Sequence, residues 1–100
     1  MTPRELRTLD RVPAGERPEV RALWHESAGD WEAAHRTVQE LDTPEAALVH
    51  AYLHRREGDE ANAAYWYRRA GRPVQRGALD EEWNAIASEL LPAPHDMQRG

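Results

Sequence analysis

Apolar residues recur along this chain at helical spacing, in short blocks that glycine or proline closes. From Glu19 onward, Val20, Leu23, Trp24 and Ser27 fall within one arc of a helix that Pro18 can open. Gly29 stops it and Asp30 caps the next, in which Trp31, Ala34, Val38 and Leu41 form a narrow apolar stripe. Thr43 and Pro44 mark another start. In the helix they open, over 44–57, Ala46, Ala47, Leu48, Val49, Ala51, Tyr52 and Leu53 cover nearly the whole circumference, which predicts a central helix with neighbours on several sides. Gly58 and Asp59 form the next break, and Ala63, Trp66, Tyr67 and Ala70 the core face of the helix beyond it. Gly71, Pro73 and Gly77 signal a loop. Asp80 then caps a last helix over about 80–91, with Trp83, Ile86, Ala87 and Leu90 on one side. Ahead of all of these, Thr2, Pro3 and Glu5 make a capping box for a short helix anchored by Leu6 and Leu9, with 12–17 as a linker. No stretch alternates with period two long enough to predict a strand.

The blocks repeat. Segments 22–41 and 51–70 each read as helix, Gly-Asp break, helix, and they align Ala22 with Ala51, His25 with His54, Gly29 with Gly58, Asp30 with Asp59 and Ala34 with Ala63. The expected fold is therefore all-α: two tetratricopeptide-like hairpins at about 18–42 and 43–72, then a C-terminal cap helix of the kind a stacked array needs. The whole of 1–91 reads as one domain and 92–100 as a flexible tail.

Within each unit the Gly of the turn is followed at fixed distances by a small residue, a bulky one and a small or apolar one. These are Gly29, Ala34, Val38 and Leu41, then Gly58, Ala63, Tyr67 and Ala70. This pattern resembles tetratricopeptide and Sel1-like repeats, and Trp66, Tyr67 and Arg68 resemble the end of a Sel1-like unit. The likeness covers 18–76 at the level of hairpins. The spacing from Gly29 to Gly58 is shorter than a tetratricopeptide's 34 residues, and Pro18 and Arg21 stand where those repeats place large apolar side chains. The run from His50 to Arg72 also resembles a group of short, uncharacterised bacterial proteins, which supplies no activity. What the repeat families imply is binding of a protein or peptide partner on a helical face.

Composition narrows the function classes. A net charge of −5 over 100 residues opposes a nucleic-acid role, which needs a basic face. The chain has no cysteine, so it has neither disulfides nor thiolate chemistry. With 31 % charged residues, a mean hydropathy of −0.88 and no long apolar run, it is expected to be a cytoplasmic protein without membrane contact. All thirteen basic residues are arginine, the side chain suited to bidentate clamping of anions.

Two sets of residues could carry function. His50, His54 and Glu57 fill the one polar gap on the central helix. Two histidines four apart with a carboxylate one turn on can present metal ligands on one face, and His25 or His35 could approach from the preceding hairpin. The bland account is that these histidines are boundary residues satisfied by backbone carbonyls or by nearby Glu and Asp. Asn62, Tyr65 and Arg69 form the outer stripe of the next helix, with Arg68 at its edge, a composition typical of protein contacts. All four tryptophans fall on the apolar side of their helices and are assigned to the core, with Trp31, directly after the cap Asp30, the one expected to be partly exposed. No complete catalytic motif is present, no cofactor is implied and no metal is assigned. The leading expectation is a protein- or peptide-interaction or self-association module. The alternative is a small-molecule or metal-binding protein, possibly an enzyme, built on His50, His54 and Glu57 with Arg68 or Arg69.

Overall fold

Capping chemistry divides the chain into its elements. The computed structural model describes residues 1–92, and these form six helices: α1 (Pro3–Arg7), α2 (Pro18–Ser27), α3 (Trp31–Val38), α4 (Pro44–Arg56), α5 (Glu60–Ala70) and α6 (Leu79–Leu90). No strand occurs among the described residues. The protein is all-α. The expected tail over 92–100 lies outside the described residues, apart from Pro92.

Proline opens α1, α2 and α4, where its fixed φ suits the first turn and its missing N–H costs nothing. Thr2 and Glu5 close the expected capping box. Side-chain oxygens of Asp30, Thr43 and Asp59 accept from the backbone N–H three residues on, at 3.0, 2.9 and 3.2 Å, and so cap α3, α4 and α5. Asp80 does not cap α6. That helix starts one residue earlier with Ala78 as its cap residue, and Asp80 stands in the first turn, where a carboxylate suits the positive end of the helix dipole.

The two Gly-Asp breaks share one geometry. Gly29 and Gly58 adopt φ of 91° and 89°. The N–H groups of Asp30 and Asp59 reach back to the carbonyls of His25 and His54, both at 2.8 Å. This closure of a helix C-terminus requires the left-handed region at the glycine, which only a residue without Cβ enters freely. The helices on either side fold back on each other, so α2–α3 and α4–α5 are the closest-packed pairs.

Helix α4 is central, as its pattern predicted. Every residue from Ala46 to His54 is buried, and the helix packs against α2, α3, α5 and α6. The core adds Leu6, Val20, Leu23, Val38, Tyr67, Trp83 and Ile86. Two assignments are corrected. Leu9 is 37 % exposed, because α1 ends at Arg7 and Leu9 lies beyond it; its carbonyl accepts from Trp24 Nε1 at 3.1 Å. Of the tryptophans only Trp83 is fully buried, its Nε1 donating to the Leu23 carbonyl at 3.0 Å. Trp24, Trp31 and Trp66 are half-buried against the core, as befits a bulky ring with a polar edge.

Candidate functional site

Antiparallel pairing of α3 and α4 brings residues equidistant from their connecting turn face to face. His35 stands seven residues before Asp42, and His50 seven after Thr43. Their Nε2 atoms are 2.9 Å apart, a hydrogen bond in which one ring donates and the other accepts. His54, one turn after His50, completes the group: one ring nitrogen from each of the three histidines lies within 4.8 Å of the other two. His50, buried in the apolar middle of α4, finds its hydrogen-bond partner on the neighbouring α3.

Aromatic rings wall the group on two sides. Trp66 of α5 stacks on His50 with centroids 3.9 Å apart and planes 15° from parallel. Trp31 of α3 stacks on His35 at 4.9 Å and 9°, and meets His54 edge-on at 6.1 Å. Trp31 is itself pinned, with Nε1 donating to the Leu53 carbonyl at 2.7 Å. Each imidazole plane is thus fixed by a neighbour rather than left to rotate.

Burial decides the charge state. His50 is 4 % exposed, and desolvation, reinforced by His35 and His54, drives its pKa down from 6.5 to about 4. His35 is lowered as well, by burial first and then by His54, with Glu57 and Glu32 opposing. Both rings are neutral at pH 7, the state in which imidazole ligates a metal. The Nδ1 of His54 donates to Glu57 Oε2 at 2.8 Å, which leaves Nε2 as its lone-pair nitrogen.

The expected stripe of His50, His54 and Glu57 is therefore rearranged. Both histidines belong to the buried part of the molecule, whereas Glu57 sits outside the helix as its exposed C-cap residue and orients His54. The partner that joins His50 and His54 is His35; His25 instead packs edge-on against Trp24. The second set stays at the surface. Asn62 braces the α5 cap, its Nδ2 donating to Asp59 at 2.8 Å. Tyr65 is 42 % exposed and its hydroxyl accepts from Arg69 at 3.1 Å. The Arg69 guanidinium lies 5.1 Å from the Trp66 ring centroid and 3.7 Å from Asp42. Arg68 is exposed, and no hydrogen bond or ion pair joins it to the histidines.

Two buried polar networks carried no recognised sequence signal. Glu82, with a side chain 6 % exposed, accepts from Arg55 at 2.7 Å and from the Tyr67 hydroxyl, tying α4, α5 and α6 together; Arg55 also donates to the Gly77 carbonyl. Glu26 pairs with Arg56 at 3.1 Å beneath the Tyr52 hydroxyl, and burial raises its pKa despite that partner. Both are fully paired and serve the packing.

No family model, no curated protein and no solved structure matches the chain. No helix among the described residues is long and apolar enough to cross a membrane.

Proposed function

We propose that this chain is a small helical metal-binding protein whose His35, His50 and His54 take a divalent ion of borderline softness, zinc being the reference case. The observation that carries the reading is the convergence of three ring nitrogens within 4.8 Å in a walled, mostly buried setting. Three features support it. His35 and His50 are neutral at pH 7, so ligation releases no net proton and needs only the shift of the shared Nε2 proton to the Nδ1 of its own ring. The outer nitrogen of His54 is held by a carboxylate, the arrangement that fixes tautomer and raises basicity in ligating histidines. Imidazole without thiolate or direct carboxylate suits zinc, copper and nickel rather than magnesium or calcium. Tetrahedral ligation at about 2.0–2.1 Å requires nitrogens about 3.3 Å apart. His35 and His50, now 2.9 Å apart, would open by a few tenths of an ångström and exchange their shared hydrogen bond for the ion. This reading replaces Glu57 by His35 as the third ligand and gives Arg68 and Arg69 no part.

The test is thermal unfolding of the full chain with and without zinc. At a free concentration a hundred times Kd, zinc adds about 2.7 kcal/mol to the native state, which raises Tm by roughly 10 °C or more in a domain of this size. His35→Gln and His54→Gln should remove the shift. A wild-type Tm that zinc leaves unchanged refutes the reading.

A second reading, the interaction or self-association module that the repeat resemblance implies, draws on the exposed Tyr65 ring held by Arg69. It expects a concentration-dependent mass in sedimentation that Tyr65→Ala with Arg69→Ala abolishes without lowering Tm.

A further inference from the structure

We infer that the ion held by His35, His50 and His54 keeps one coordination position that the chain does not fill, and takes there a hydroxide or another small monovalent anion from solution. The inference rests on the metal reading above and adds the identity of the fourth ligand.

Charge is the first argument. Three neutral imidazoles leave a divalent ion with its full charge, in a place where His50 and His54 are 4 % and 9 % exposed and the faces of Trp31 and Trp66 form the walls. A desolvated charge of that size demands a counter-charge in contact with it.

The chain's own carboxylates are occupied elsewhere. Glu57 accepts from Nδ1 of His54, on the ring edge away from Nε2. Asp59 caps α5 and accepts from both the N–H and the Nδ2 of Asn62. Glu32 faces solvent, 4.0 Å from Arg36. There is no cysteine, and His25 stands against Trp24 outside the cluster.

Ligand number is the second argument. Purely structural zinc sites are closed by four protein donors, whereas three-donor sites hold water or a substrate group in the fourth position. A small anion meets both demands at once, neutralising half the charge and completing the tetrahedron.

The experiment uses the full chain loaded with cobalt(II), whose visible absorption reports coordination number, and titrates it with azide. The expected result is an intense four-coordinate spectrum that azide shifts saturably, with one azide per cobalt. Absence of cobalt bands together with absence of a zinc-induced Tm shift overturns the metal reading and this inference with it. A four-coordinate spectrum indifferent to azide overturns the inference alone and means that the chain supplies the fourth donor. Glu57→Gln separates the remaining case. Cobalt should bind about tenfold more weakly through loss of the His54 orienting contact, while the azide response persists. A response to azide that appears only in this variant identifies Glu57 as the fourth ligand and refutes an exogenous one.

Discussion

At the scale of single residues, the polar groups that matter most are those water cannot reach. His50 stays neutral in the native state down to about pH 4, whereas in the unfolded chain it takes a proton near 6.5. Between those values the unfolded state binds the extra proton, so this residue makes stability fall as pH falls from about 6.5 to about 4, by at most about 1.4 kcal/mol per pH unit. Above that window, and below it, its contribution is flat. Urea unfolding of the metal-free protein at pH 7 and pH 5 checks this, and His50→Gln should lessen the difference. A second prediction concerns Glu82. Its replacement by Ala strands Arg55 and the Tyr67 hydroxyl in the core and should cost about 3–5 kcal/mol. Tyr67→Phe, which removes only one donor, should cost about 1–2 kcal/mol. Arg36→Ala, breaking an exposed pair with Glu32, should leave the unfolding midpoint within error.

At the scale of elements, helix starts and stops were legible because each has a local chemical cause. Thr2, Asp30, Thr43 and Asp59 cap, Pro3, Pro18 and Pro44 open, and Gly29 and Gly58 close. Gly58→Ala should therefore cost about 1–2 kcal/mol through φ alone, since an added Cβ meets no atom within 4 Å. Gly15→Ala, in a loop without positive φ, should be nearly neutral, and thermal melts of the two variants decide it. What was not legible depends on contacts between elements. The wheel of α4 exposed a polar gap at His50 and His54 but could not choose between His25 and His35 to meet it. Reflection about the Asp42–Thr43 turn would have chosen His35, had antiparallel pairing of α3 and α4 been assumed. Glu82 drew no notice in the sequence, because its partners lie 15 and 27 residues away. Asp80 resembled a cap for the same local reasons that made Thr43 one, yet the chain had already entered the helix at Leu79.

At the scale of the molecule, the four tryptophans report different depths. Trp83→Ala should cost about 3–5 kcal/mol and bring a domain of this size close to unfolding. Trp66→Ala should cost less, since the ring is half-buried and stacks on His50. Tyr65→Ala should cost under about 1 kcal/mol. Chemical denaturation gives the order, and parity of Trp66 and Tyr65 would contradict the packing described here. The burial of α4 on all sides has a further consequence, for time rather than energy. Its amides from Ala46 to His54 have no route to solvent short of disassembling the helices around them. They should exchange hydrogen for deuterium last, at the rate of global opening, whereas the five-residue α1 exchanges through local fraying. Two of the three histidines thus ride on the slowest-opening segment of the chain and the third on the short α3 beside it.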